Sequence, residues 1–574
     1  MKFVKKIDVW LIFALFSAVI LFPQINQHAL ILGDDSLFHM NRFYDAMMQL
    51  KSGNLQYFIS MYGFSQSARV VNALYSPYVA YFNGFIMIIT GSWFKYQLIS
   101  DWIVNFIGAG TMYYLLRTNK VYKAYAIWIS LVYVITYTLT WSAGQQFVAW
   151  GAAILPLTIA AGVRMIREKN DPVHVLELTL GVTLLVQVHV LSTLLMLIIL
   201  IVFFLWGLVI TEQPKKLIQK TILSAVFTLV LTSNVWGGII ELYGSNHLLT
   251  PFKNIDPFHY GTVSLDFNNL QLSTFIAILL FLQCMLALTP SNNMSKLNKG
   301  ITIFGSILFI ASTQLLPWNQ IFKKFEIISV IQFPKRFLPF AIALLLLGLG
   351  LSFTQILSKR WTRKPDYILI LLGVFVLMST AVVMKKLSDT AAIWQTDRVI
   401  ASHSNVKQLL YGSQLRDTFA AGKDMGDALK IVYRPTSDYV PIPNRKKIPE
   451  HPYNEYDLAI FQKEKEFRKK VSRNSLSITW KSTHETIKKI SVFKYKHTNL
   501  KLNGRKLTSK QYVLNDIGTV SVHSKRGYNE LLVNYKPAQW FNILLVINWI
   551  TWIVVSIIYM KWIFIKIKSK GTVK

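Results

Sequence analysis

The chain has 574 residues, 53% of them hydrophobic and 16% charged, with a mean hydropathy of +0.38. That composition excludes a soluble protein of this size and indicates a polytopic membrane protein. The formal net charge of +33 favours anionic partners such as lipid headgroups, phosphates and envelope polymers. No recognition module for nucleic acid is visible, so nucleic acid is not an expected partner. A single cysteine, Cys284, excludes an intramolecular disulfide and a cysteine metal site.

The start, "MKFVKK" followed by "IDVWLIFALFSAVILF", has the charge pattern of a signal peptide. Its apolar part is long and no small-residue cleavage site follows, so it reads as a retained first span with a cytoplasmic N-terminus. Apolar stretches near 7–24, 77–94, 98–116, 124–141, 148–163, 173–190, 191–210, 217–235, 271–289, 300–317, 336–357, 366–384 and 539–560 are candidate spans, about 20 residues being needed to cross a bilayer. The basic linkers "RTNKVYK", "RMIREKN", "TEQPKK", "SKLNKG" and "SKRWTRK" and the tail "KWIFIKIKSKGTVK" belong on the cytoplasmic side. With both termini inside, the number of crossings must be even. One candidate must then be re-entrant or lie along the surface, and 77–94 is the suspect. Segments 25–75, 235–270, 318–335 and 386–538 fall outside.

The expected fold is therefore a polytopic α-helical membrane protein of about 12–13 transmembrane helices, with a small exported domain before the last helix. Residues 1–385 form the membrane domain with an outer loop at 25–75. Residues 386–538 form a basic exported domain, α/β or β-sandwich-like. Residues 539–574 form the last span and a basic tail. In the exported part, "SLSITW", "KISVFKY", "LKLNGRKL", "GTVSVHS" and "ELLVNY" alternate with period two, and Asn503-Gly504 marks a hairpin turn. The preceding part carries helical periodicity around the Pro-rich stretch "YRPTSDYVPIPNRKKIPEHPY".

The first outer loop contains "ILGDDSLFHMNRFYDAMMQLKSGN". A helix capped by Asp35 or Ser36 places Leu37, Met40, Tyr44 and Met47 on an apolar face. Asp35, His39 and Arg42 follow at spacings of four and three on the opposite stripe. Such a helix would lie on the outer membrane surface with its polar stripe towards a cavity. Asp34 or Asp35 could act as general base for an acceptor hydroxyl, and a neighbouring cation could stabilise a departing phosphate. The two carboxylates could also hold a divalent cation, though two oxygen ligands are a weak metal signal. Spacing alone favours an ordinary turn, an N-cap and a wetted helix face over a catalytic site.

With Leu50 and Gly53, the residues Asp34, Asp35, His39 and Arg42 resemble the first outer loop of the GT-C glycosyltransferases. The stretch "VIQFPKRFLPF" (330–340) resembles the "QFPWRF" signature of bacterial YfhO-like and 6-pyruvoyl-tetrahydropterin-synthase-related membrane proteins. "LVQVHVLSTLL" (185–195) is similar to the "H-x-x-[ST]" segment of those families, and the closing strands before the last span look like the end of YfhO-like proteins. The resemblance implies an outward active site, a polyprenyl-phosphate-linked sugar donor and inversion at the anomeric carbon. It implies Asp34 or Asp35 as base, with Gln332, Lys335 and Arg336 at the outer end of a span. Lys335 stands where the signature usually has Trp. The next outward loop, "SAGQQFVAWG", carries Gln145 and Gln146 where many members have a second acid, which lowers the expectation of metal dependence and admits an inactive member.

His189, at a turn between two apolar segments, could bond a donor phosphate or simply satisfy the turn. Asp101 and Glu177 lie near span ends, where exposure is cheap. Glu241, in an outward loop, is the best replacement for the second acid.

The leading expectation is a glycosyltransferase of the cytoplasmic membrane, with its active site and exported domain extracellular, requiring no cofactor. It would move a sugar from a polyprenyl phosphate to an anionic envelope acceptor such as a teichoic acid, a polysaccharide or a glycolipid. A transporter or flippase would share the many spans, but no inverted repeat or matching pair of broken helices is visible. An inactive envelope-assembly scaffold would keep the fold without the second acid.

Overall fold

The computed structural model describes residues 8–33, 35–136, 147–264, 274–289, 294–360, 366–400, 405–444 and 448–571. Within the described residues each of the thirteen apolar stretches overlaps at least one helix. Among the described residues, Val148–Arg167, Val190–Ile210, Pro334–Ile356, Tyr367–Gln395 and Gln539–Ile558 are long and apolar enough to cross a membrane. A sixth is added if Pro214–Leu231 and Ser233–Ser245, bent by 63° at their junction, count as one span. Shorter apolar helices include Val9–Ile20, Lys123–Val134 and Pro77–Thr90. At 1.5 Å per residue the last is only about 21 Å long, short of the roughly 30 Å hydrocarbon core.

The fold is thus a polytopic helical membrane protein with a β domain before its final helix. The chain forms two compact units. The first comprises 1–43, 85–220 and 252–434; the second comprises 44–84, 221–251 and 435–574.

The first unit is helical. Its helix Leu338–Arg360 is buried along Leu338, Phe340–Leu347 and Leu349, as expected of a helix apolar all round. Where polar groups are buried beside it they satisfy one another. Gln283 Nε2 donates to Thr302 Oγ1 (2.7 Å) and Asn298 Oδ1 (3.2 Å), Asn298 Nδ2 to Ser352 Oγ (2.9 Å), and Ser352 Oγ to Gln283 Oε1 (2.8 Å). Gly348 leaves room for this ring: a Cβ there would stand 2.8 Å from both Gln283 Nε2 and Thr302 Oγ1. Helix starts carry side-chain caps, Asp8 for Val9–Ile20, Ser92 for Trp93–Thr118 and Ser295 for Lys296–Ala311. A short antiparallel pair, β1 (Lys407–Gln408) and β2 (Val432–Tyr433), also belongs to this unit.

The second unit contains β3 (Arg468–Ser472), β4 (Ser475–Ser482), β5 (Thr486–Phe493), β6 (Thr498–Leu502), β7 (Arg505–Lys506), β8 (Tyr512–Leu514), β9 (Thr519–Ser524) and β10 (Gly527–Tyr535). They form a five-stranded antiparallel sheet in the order β3-β4-β10-β6-β7 and a three-stranded sheet β5-β9-β8. Asn503 and Gly504 take φ of 50° and 83°, the left-handed pair that a two-residue hairpin between β6 and β7 requires. Alternation directs Leu476, Ile478, Trp480, Leu500, Leu531 and Val533 of one sheet and Ile490, Val492, Val520 and Val522 of the other into a shared core.

The segment 58–70 completes this core, contributing Phe58, Ile59, Met61, Ala68 and Val70. Phe493 N–H donates to Ser67 O (2.9 Å), the Tyr495 hydroxyl accepts Val70 N–H (3.2 Å), and Lys469 Nζ donates to Ser65 O (2.7 Å). The loop is closed at its base by Asp45. Its Oδ1 accepts Tyr62 N–H (2.8 Å) and Gly63 N–H (3.1 Å), and its Oδ2 accepts Gln49 Nε2 (2.7 Å).

Candidate functional site

Helix Ser36–Ser52 begins where the sequence marks a cap. Asp35 O accepts His39 N–H (3.0 Å), and Ser36 Oγ both donates to Gly33 O (2.6 Å) and accepts Gly33 N–H (2.9 Å). The strand of chain leading in is pinned by Gln97, whose Oε1 accepts Ile31 N–H (3.0 Å) and whose Nε2 donates to Ile31 O (2.8 Å). The side-chain amide thus pairs with the chain as a backbone amide would, which fixes the entry to the Gly33–Asp35 turn. Asp34 lies outside the described residues, as do Gln145 and Gln146. Asp35 is exposed and pairs with Arg434 at 3.3 Å.

The helix differs from an interfacial one wetted on its polar stripe. His39 and Arg42 are as buried as Leu37 and Met40. His39 stacks on Phe147 with ring centroids 4.7 Å apart, and the Arg42 guanidinium lies over the same ring at 5.3 Å. Arg42 donates to His39 Nδ1 (2.9 Å), which leaves the His39 proton on Nε2.

His189 is the one non-helical residue between helices Val175–Val188 and Val190–Ile210, and it caps the second. Its Nδ1 accepts Ser192 N–H (3.1 Å), so it too presents Nε2–H. Burial first, then Arg42 and His189, hold His39 well below the usual imidazole range. His39 and Arg42 are in direct contact, and His189 lies within range of the Arg42 and Arg336 charges. His39 and Arg42 are buried and His189 and Arg336 half-buried; two imidazoles and two guanidiniums make a donor-rich cluster, which suits an anion with several acceptor oxygens.

The segment that supplies Arg336 is strained. Glu326–Ile331 and Pro334–Phe337 are 3₁₀ turns joined by a tight reversal at Gln332, where φ is 58° and ψ −47° and Phe333 N–H donates to Ile331 O (2.6 Å). That is a γ-turn with positive φ, a rare and costly conformation for a non-glycine residue. It is held by Gln332 Nε2 bonding Phe252 O and by Asn254 Nδ2 bonding Gln332 O (3.0 Å). Gln332 Oε1 and Ile331 O in turn accept from Arg336 at 3.0 and 2.6 Å. Gln332 thus aims Arg336, while Lys335 lies over the Phe333 ring at 5.5 Å.

Glu241 belongs to the second unit and is buried there. Its carboxylate meets His497 Nδ1 at 2.5 Å and accepts Ala538 N–H at 3.0 Å, tying the start of β6 to the approach of the final helix. Glu177 pairs with Arg164 at 3.0 Å and accepts the Tyr114 hydroxyl at 3.0 Å. Asp101 is buried, with Gln97 and Asn105, on one stripe of Trp93–Thr118. Among the described residues no group of three or more His, Cys, Asp or Glu is placed to hold a metal ion.

Two contributors carry no signal in the local sequence. Arg434 is one of several basic residues around a Pro-rich stretch, and nothing in its neighbours marks it as the partner of Asp35. Phe147 reads as an interfacial aromatic; only the fold brings it under His39 and Arg42.

No family model matches the chain, and no curated protein matches it. Among solved structures it is similar to the oligosaccharyltransferase AglB of Archaeoglobus fulgidus, solved with an inhibitory peptide and a dolichol phosphate. The identity is 13% and the TM-score 0.42, over 78% of this chain and 62% of that one. It is also similar to the apo oligosaccharyltransferase of the same organism, at 11% identity and TM-score 0.39, over 78% of this chain and 63% of that one. The chain thus spans less than two thirds of the length of either.

Proposed function

We propose that this protein is a glycosyltransferase of the GT-C type, acting on the outer face of the cytoplasmic membrane. It takes a sugar from a polyprenyl phosphate and transfers it to a cell-envelope acceptor, a teichoic acid, polysaccharide or glycolipid. The observation that carries the reading is the donor-rich cluster of His39 and Arg42, which are buried, with His189 and Arg336, which are half-buried. A leaving phosphate gains negative charge as the anomeric C–O bond breaks, and preorganised donors in a site shielded from water stabilise it. Two histidines kept neutral can donate without adding to the charge already supplied by the arginines.

In this mechanism Asp34 or Asp35 accepts the proton of the acceptor hydroxyl as its oxygen attacks the anomeric carbon from the opposite side. The bond from that carbon to the phosphate oxygen breaks with its electron pair, and polyprenyl phosphate leaves towards His39, Arg42, His189 and Arg336. The anomeric configuration inverts. Gln332 keeps Arg336 in position, and Lys335 adds a cation at the same span end. Arg434 positions Asp35. No metal is required, because the cationic side chains do the work of charge stabilisation.

The test is a comparison of envelope polymers from cells carrying the wild type and the Asp34→Asn and Asp35→Asn variants at matched expression. Mass spectrometry should show the loss of one hexose- or aminosugar-sized increment in at least one variant. Unchanged polymers in both variants and in their double mutant would reject the reading.

A further inference from the structure

We propose that the outward face of the five-stranded sheet is a docking surface for a linear, phosphate-bearing envelope polymer. It rests on the transferase reading in one respect, that such a polymer is then the acceptor. Residues 468–536 carry sixteen Lys and Arg against three Asp and Glu. The strand register gathers five of these cations on one side, because directly paired residues point to the same face. Lys470 pairs with Ser477, Ser477 with Leu532, Leu532 with Lys501 and Lys501 with Lys506, one row crossing all five strands. With strands about 4.8 Å apart the row is about 19 Å long. The same face carries Arg468 beside Thr479, and Lys481 beside Tyr528.

All five cations are exposed, while their strand neighbours Leu476, Ile478, Leu500, Leu531 and Val533 fill the core. The acid of this face, Glu530, is engaged by the Ser477 hydroxyl at 2.6 Å. Lysines on edge strands commonly protect a sheet from pairing with another chain. That does not account for Lys501, which stands on the interior strand β6 between β10 and β7. Nor does folding favour Lys501 directly opposite Lys506, since like charges so placed oppose pairing.

The chemistry selects the occupant. A small anion is held by donors converging in a pocket; here charges are spread over an open row. Four of the five cations are lysines, flexible point charges suited to regularly repeated phosphates in many orientations rather than to one bidentate group. Tyr528 is exposed beside Lys481 and offers a flat ring to a sugar or polyol unit. A membrane-docking face would add exposed aliphatic anchors, and this one has none among its described residues.

The test uses the full-length protein in detergent and a fluorescent poly(glycerol phosphate) chain as probe. Lys470→Gln/Lys501→Gln/Lys506→Gln is compared with Lys407→Gln/Lys489→Gln/Lys510→Gln, which removes the same charge elsewhere. The face variant should bind at least about tenfold more weakly at low salt and show a shallower salt dependence, with the control within about twofold of wild type. Equal binding by the face variant, or equal loss in the control, overturns the proposal. So does binding of phosphatidylglycerol vesicles, rather than the polymer, through the same lysines. Asp34→Asn/Asp35→Asn should bind the probe as wild type does. If cells carrying that double variant keep wild-type envelope polymers while the lysine variant loses binding, the transferase reading fails and the docking surface stands.

Discussion

Asp45 gives the segment 58–66 a pH response that can be worked out from its surroundings. Burial outweighs the bonds from Tyr62, Gly63 and Gln49 and raises its carboxyl from 3.8 to about 6. A carboxyl raised on folding binds its proton more tightly folded than unfolded. Its contribution to stability is therefore full below pH 3.8 and is lost as pH rises through about 6. A shift of about two units corresponds to about 3 kcal/mol, of which about 2 kcal/mol disappears between pH 4 and pH 7. Asp45→Asn keeps an oxygen for the Tyr62 and Gly63 amides and removes the titration. Hydrogen exchange of peptides covering residues 58–66, compared between wild type and variant at matched pH, reads the opening of this loop. Relative to the variant, the wild type should lose about 2 kcal/mol of protection between pH 4 and pH 7. A difference between the two proteins that stays constant across that range would refute the assignment.

Gly348→Ala should destabilise the protein by about 1–3 kcal/mol, because the new methyl meets the Gln283–Asn298–Thr302–Ser352 ring, and thermal unfolding in detergent would show it. Glu241→Ala leaves the Ala538 amide and His497 without their shared acceptor and should cost about 1–3 kcal/mol, seen as increased exchange at residues 535–542. Gln332→Ala frees Arg336, so turnover should fall more than donor affinity does, which a kcat-against-KM comparison separates. Arg434→Gln should lower turnover by about tenfold or more through loss of the Asp35 pairing, while leaving polymer binding unchanged.

Much of the fold can be read in the sequence because the signals are local. Thirteen apolar stretches give helices, and the alternation from Ser475 to Tyr535 gives strands with a hairpin at Asn503-Gly504. The spacing of Asp35, His39 and Arg42 also gives a helix with its start in the right place. What spacing does not give is the far side of each contact. The polar stripe of that helix reads as wet, yet Phe147 covers it. The stretch from Phe58 to Val70 reads as loop, because its apolar residues have neither period. They are inserted singly between strands more than four hundred residues away in the chain. Glu241 reads as an acid awaiting a substrate, and the structure has it bonded to His497 and the Ala538 amide. In each case the missing information is a partner distant in sequence, which periodicity does not encode.

The most direct measurement uses purified protein reconstituted in lipid with a radiolabelled polyprenyl-phosphate sugar and an envelope acceptor fraction. Wild type should transfer label to the acceptor and release polyprenyl phosphate in equal amount. The Arg42→Gln/His189→Ala variant should lose at least about a hundredfold in turnover while still unfolding in one cooperative transition above the assay temperature. Transfer at the wild-type rate by that variant, or no transfer by the wild type with any polyprenyl-phosphate sugar, would contradict a glycosyltransferase whose leaving phosphate is held by this cluster.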